Sequence, residues 1–395
     1  MLKALDNPIR THYGAEILRT LRDTIVDIAA GDAPAKNGTE TAINRLRVGS
    51  TVVGMGWRVT TALLQPSGLA QSWVRVGGRH MARGVYQFMK SPLTSSAFAN
   101  SKSKMMVDRG RTMQREINEV LNTVRAGDKV SAFKASYFML IGKMQRSVDI
   151  PTWLGAYDKA TEELHLENAG SASEREAIEK QASALADQAV IDSQSGGQLK
   201  DLAKVQRGSP LQKIFTNFYS YFSATYNLNV EAVRRTNFLS PSQVALLATD
   251  MIILNTVPVL FSVALKEMLK GGCGDDLECL AGKLGHEQLN FLFGQMVLLR
   301  EAGVAIDAAT GGEGFGYQGP AGLRFFADLY KLGTQTQQGD ADIAFFKSAN
   351  QVAGAILHYP AGQINATAEG IMAIESGKVD GMGILPALIA GPPKK

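Results

Sequence analysis

Cysteine is nearly missing from this chain. Among 395 residues only Cys273 and Cys279 are present, too few for a disulfide framework. Only Asp275 and His286 stand near them in sequence, so a structural metal site is not expected either. The pair reads as ordinary reduced thiols, with a local disulfide closing the surrounding glycine-rich stretch as the sharper alternative. Aromatic residues make up only 7%, and no run alternates apolar and polar residues for long enough to demand a strand, which argues against a β-sandwich or barrel. Histidine is sparse and scattered, at His12, His80, His165, His286 and His358, with no HExxH spacing. No GxSxG elbow, Walker loop or zinc pattern is present. Glu162 and Glu163 in TEELHLE could serve as general acids, but carboxylates beside Lys and His on a helix are far more often solvated surface. No catalytic residue, metal or cofactor is therefore expected. The start MLKALDNPIRTHYG lacks the apolar core and cleavage site of a secretory leader, so synthesis in a cytoplasm is expected.

Acidic residues are absent from Thr41 to Val107, where nine basic residues stand: Arg45, Arg47, Arg58, Arg75, Arg79, Arg83, Lys90, Lys102 and Lys104. The asymmetry extends further. Residues 1–150 hold 22 Lys/Arg against 11 Asp/Glu, and the remainder 19 against 26, although the net charge is only +4. A tract of this kind attracts phosphates, of lipid headgroups or of nucleic acid, so Arg45, Arg47, Arg58, Arg75, Arg79 and Arg83 are candidate contacts for an anionic surface. Equally, it is a basic face whose counter-charges arrive from elsewhere in the fold.

What the chain has in quantity is helical periodicity, with abundant alanine and 40 glycines suited to close helix contacts. Ile17, Leu21, Ile25 and Ile28 form one stripe. GDAPAKNG (31–38) is a break, and SPLTSSAFANSKS (91–103) reads as a polar loop and hinge. An amphipathic helix is expected over 105–125, then another to about Arg146, a third from Thr152 after a stop at Pro151, and a fourth opened by a capping box from Ser173 to Glu176. Ser209–Pro210 caps a long helix whose Leu211, Phe215, Phe218, Phe222 and Tyr226 make a packing seam, continued by Val230 and Val233. Val244–Leu265 is 22 residues long with Asp250 its one charged residue, enough to span a hydrocarbon core of about 30 Å. Asp250 and Asn255 weaken that segment and Pro258 would kink it, so it is a marginal membrane helix or the buried central helix of a soluble bundle. GGCGDD is a turn, and helices are expected over 289–306, 321–332 and 342–358, with GGEGFGYQGP (311–320) a loop too far from any strand to bind phosphate.

Four segments carry a resemblance: TALLQPSGLAQSWVRVG (61–77), WLGAYDKA (153–160), ADQAVIDSQSGG (186–197) and above all VQRGSPLQKIFTNFYSYFSATYNLNVEAVRRT (205–236). Together they resemble the C-terminal helical region of large polyvalent proteins of tailed phages and prophages, over roughly residues 10–270. That resemblance implies an internal virion or ejection-type protein: carried in the virion, made in the host cytoplasm, delivered to the host envelope. Its implied partners are other virion proteins, further copies of itself, an anionic membrane and, non-specifically, DNA. It carries over no catalytic residues.

The expectation is thus an all-α multi-helix bundle with long amphipathic helices and one or two strongly apolar ones. A basic helical region (1–103), a helical body (104–237) and an apolar helical C-terminal region (238–395) are its expected parts. The expected role is a structural ejection protein that associates with the host membrane and assists genome delivery; the alternative is a soluble helical scaffold packed against a phage lytic or DNA-processing enzyme.

Overall fold

The computed structural model describes residues 2–30, 37–111, 136–195, 201–202, 204–216, 219–296, 299, 321–338 and 342–393. Among them the fold is all-α, without a strand. The first helices are α1 (Leu2–Tyr13), α2 (Ala15–Ala30), α3 (Gly38–Met55), α4 (Val59–Leu64), α5 (Leu69–Val76), α6 (Gly78–Lys90), α7 (Pro92–Lys102) and α8 (Lys104–Arg111). Two long helices follow, α9 (Met139–Glu163) and α10 (Ala172–Gln194), then α11 (Pro210–Thr216), α12 (Tyr219–Arg235), α13 (Pro241–Asn255), α14 (Val257–Lys270) and α15 (Leu277–Gly294). The last are α16 (Ala321–Gln338), α17 (Ile343–Leu357), α18 (Ala361–Glu375) and α19 (Ile384–Ala390).

Helix α9 organises a body built from α4 to α10, packing on α6 and α10 and touching α4, α5 and α7. Trp153 is fully buried there with Ile150, Leu154, Met81 and Met106. Its ring stacks on Tyr157 at 5.0 Å and meets the edge of Phe98 at 6.0 Å. The α6–α9 crossing depends on two glycines. A Cβ at Gly84 would lie 2.3 Å from the Pro151 carbonyl oxygen, and one at Gly155 would lie 2.7 Å from that of His80. Backbones this close leave no room for any side chain between them. Arg109 on α8 clamps the far end through Asp149, at 2.7 and 3.1 Å, and through the Gln194 and Ser195 carbonyls that close α10. Helix α3, near the start of the chain, packs instead against α16, α17 and α18.

Several sequence expectations are corrected. The Ser91–Ser103 stretch is not a loop. It forms α7, with Pro92 in its first turn and Ser96 and Ser101 donating back to the Pro92 and Phe98 carbonyls at 2.7 and 2.8 Å. Burial of Ser95 and Ala99, with Phe98 on Trp153, overrides the polar composition. Pro151 does not end a helix but sits inside α9. The lost backbone bond and ring clash cost about 3 kcal/mol, and full burial of Ile150, Trp153 and Leu154 at about 1.5–3 kcal/mol each outweighs that. The capping box lies two residues earlier than expected: Ser171 Oγ accepts from Glu174 N at 3.1 Å, and the Glu174 carboxylate accepts from Gly170 N at 2.8 Å. Cys273 and Cys279 are not free thiols. They are bonded to each other across the turn between α14 and α15, their Cα atoms 5.5 Å apart. The helix expected from residue 289 starts earlier, at Leu277, capped by Asp276, whose carboxylate accepts from the Glu278 and Cys279 amides. Most of the expected 105–125 helix, Phe218 and the 311–320 loop lie outside the described residues.

Candidate functional site

The C-terminal helices leave large apolar side chains exposed. Pro241–Lys270, comprising α13 and α14, is 30 residues long and, among the described residues, the one stretch long and apolar enough to cross a membrane; 28% of its most apolar part is buried. Outward, Leu246, Ile252, Leu260 and Met268 are between 47% and 69% exposed. Inward, Asp250, Asn255 and Ser262 are buried beside Leu254, Val259, Val263, Leu265 and Leu269, whereas Ser242, Gln243 and Thr249 near its start are exposed. A soluble helix usually keeps large apolar side chains out of water. Here one side leaves several of them in it, and a few polar groups are buried on the other.

Inside the layer Asn255 is bonded to a group of amides, whereas the buried Ser262 hydroxyl has no hydrogen-bond partner among the described residues. Asn229 on α12 donates to Asn255 Oδ1 at 3.1 Å and to Gln295 Oε1 at 2.9 Å. Asn255 Nδ2 donates to Asn229 Oδ1 and to the Met251 carbonyl, both at 2.9 Å. Gln295 Nε2 donates to Asn255 Oδ1 at 2.7 Å, and Gln288 to the Asn255 carbonyl at 3.0 Å. The joint between α13 and α14, at Thr256, is therefore wrapped in amides, with Pro258 in the first turn of α14, where its missing N–H costs nothing. Asp250 is paired with Arg235, and Lys266 with the fully buried Glu287 at 2.5 Å. The pattern continues in α17 and α18. There the Asn350–Asn365 bond (2.7 Å) and the Lys347–Glu369 pair (2.6 Å) join the helices, while Phe346, Leu357 and Ile371 are exposed.

The basic tract finds its counter-charges in the body. Arg75 meets Asp192 at 2.8 Å and Glu231 at 3.8 Å. Arg79 meets Glu162 at 3.0 Å, and Arg83 meets Asp158 at 3.1 Å and Glu162 at 3.4 Å. Arg47 is buried and donates to Asn44, and Arg58 reaches the Gly362 carbonyl at 3.5 Å. Arg45 alone of these six sits exposed on α3 with no such bond described. The anionic-surface role expected of the tract is thus corrected for Arg47, which water does not reach, and weakened for Arg75, Arg79 and Arg83, whose charge is matched by carboxylates of α9, α10 and α12. His80 joins the same group, its Nδ1 2.7 Å from Asp158 Oδ2. His80, Asp158 and Glu162 are close enough together to share a metal ion. Both carboxylates, however, are already bonded to arginines, which makes the cluster an ion-pair network. Burial pushes the Asp158 carboxyl up, but hydrogen bonds from His80 and Arg83 outweigh it and hold the group below its ordinary value.

The expected aromatic seam is only partly present. Phe222 is buried, with Gly294 against its ring and Phe291 at 5.8 Å, and Phe215 is half-buried. Leu211 and Tyr226 are 55% and 43% exposed, as is Val233 at 43%. Among the described residues of the stretch, the buried apolar positions of α11 and α12 include Ile214, Tyr219, Phe222, Ala224, Leu228 and Ala232. Asn229, Gln295 and the Lys266–Glu287 pair were not anticipated. Their only signal was polar residues interrupting apolar helices at single positions. In comparison with known proteins, no family model, no curated protein and no solved structure matches the chain.

Proposed function

We propose that the chain is a structural, membrane-associating helical protein whose C-terminal layer takes its outward apolar side into a lipid bilayer. The observation that supports this reading is the apolar outer side of α13 and α14, where Leu246, Ile252, Leu260 and Met268 are exposed although the stretch is long and apolar enough to cross a membrane. Transfer of the exposed half of each of those large side chains into hydrocarbon is worth about 1 kcal/mol. Asp250 and Asn255 are already bonded to protein, so they add little cost; the Ser262 hydroxyl has no partner among the described residues in either setting. The resemblance to polyvalent phage proteins suggests the setting: a virion-borne chain that meets the host membrane during genome delivery, beside other virion proteins and further copies of itself. No catalytic role is proposed.

A second reading, a soluble scaffold beside a phage lytic or DNA-processing enzyme, draws on the conventionally packed body around Trp153 and would cover the same apolar side with protein. Flotation of purified protein with vesicles of phosphatidylcholine and phosphatidylglycerol at low salt separates the two. Wild type is expected to float, and Leu260→Asp/Met268→Asp to remain at the bottom of the gradient with an unchanged circular dichroism spectrum. Wild type that stays in the dense fractions overturns the membrane reading.

A further inference from the structure

The hairpin that joins α12 to α13 has a construction that the outward face does not explain. At its tip Phe238 is 63% and Leu239 93% exposed, and just beyond it Val244 and Leu246 remain 39% and 56% exposed. Two large apolar side chains at the summit of a turn are at odds with water. The turn is nevertheless firmly built. Leu239 N donates to Asn237 Oδ1 and Ser240 N to the Asn237 carbonyl, both at 3.0 Å. Asn237 N donates to Gln243 Oε1 at 2.7 Å, and Thr236 N to the Val233 carbonyl at 3.2 Å. The Asn237, Leu239 and Ser240 amides are thus satisfied within the turn, which lowers the cost of moving it out of water.

One turn behind the tip, at the end of α12, stand Arg234 and Arg235, both exposed. Arg235 is held by Asp250. Hydrocarbon-seeking side chains in front and cations behind match the layering of a bilayer surface, in which acyl chains lie beneath a sheet of phosphates.

We propose that Phe238 and Leu239 form an insertion wedge for an anionic phospholipid bilayer, with Arg234 placed to meet the headgroup phosphates. This rests on the membrane reading above and adds to it the point of entry and the lipid class. The wedge is tested with Phe238→Asp/Leu239→Asp and, separately, Arg234→Gln. Each is floated with vesicles of phosphatidylcholine alone and of phosphatidylcholine mixed with phosphatidylglycerol. The double variant is expected to lose about tenfold or more in partitioning. Arg234→Gln is expected to lose about fivefold, on the phosphatidylglycerol vesicles only. Because all three side chains are exposed, the thermal midpoint should not move.

Undiminished binding by the double variant, when Leu260→Asp/Met268→Asp abolishes it, overturns the wedge and leaves the membrane reading standing. Failure of wild type to float overturns both. Equal wild-type binding to the two vesicle types overturns the anionic-lipid assignment. If the double variant leaves vesicle binding intact but dissociates a wild-type dimer in sedimentation, the tip is a contact between copies and the wedge is again overturned.

Discussion

Trp153 and Asn255 are both buried, in two parts of the molecule whose surfaces differ. The body of α4 to α10 around Trp153 buries rings and methyls together with a few bonded polar groups, and places Arg79, Arg83, Asp158 and Glu162 on its surface. The C-terminal layer around Asn255 buries Val259, Val263 and Phe291 together with amides and an ion pair, but leaves leucine, isoleucine and methionine outside. Water alone explains the first arrangement, since it rewards apolar burial and solvates the charges. It accounts less well for the second, in which exposed apolar area is large. That difference in surface, not in interior, is what the proposed membrane association builds on.

That contrast can be broken at several points. Trp153→Ala should cost about 3–5 kcal/mol through the cavity it leaves, seen as a large fall in the thermal midpoint of the isolated protein. Asn255→Ala should cost less, about 1–3 kcal/mol, because Asn229 and Gln295 lose a shared partner while little volume is removed. If Asn255→Ala proves the costlier of the two, the layer is held by its amide network far more than the body is by its ring. The smallest effect is expected at Asp158. Its carboxyl is held below its ordinary value in the fold, so the stabilisation is present above the ordinary carboxylate range and lost as pH falls through the lowered value. Asp158→Asn should therefore flatten the acid limb of a midpoint-against-pH curve slightly. A variant curve parallel to wild type would show that the His80–Asp158–Arg83 group contributes nothing measurable, as many exposed ion pairs do.

Local signals in the sequence proved the most legible. Ser209 and Pro210 do open a helix, with Gln212 Oε1 accepting from Ser209 N at 2.9 Å, and GGCGDD is a turn. Composition misled at α7, where serine side chains bond their own helix instead of marking a loop. Sidedness was harder still. Periodicity tells which residues share a helix face, but not whether that face meets protein or solvent, so Val244–Leu265 read as a buried core helix somewhat more than as a membrane segment. Its inward partners Asn229 and Gln295 stand 26 and 40 residues from Asn255. The acid-free tract left its counter-charges open for the same reason: Arg83 meets its carboxylate 75 residues away.

The Cys273–Cys279 bond gives the α14–α15 elbow two covalent forms. In a glutathione-rich cell interior a pair of this kind is kept as thiols, whereas beyond the inner membrane it closes. If the chain crosses that boundary as proposed, the elbow would record the crossing by the mass of two hydrogen atoms, and intact-protein mass spectrometry without reductant would read it.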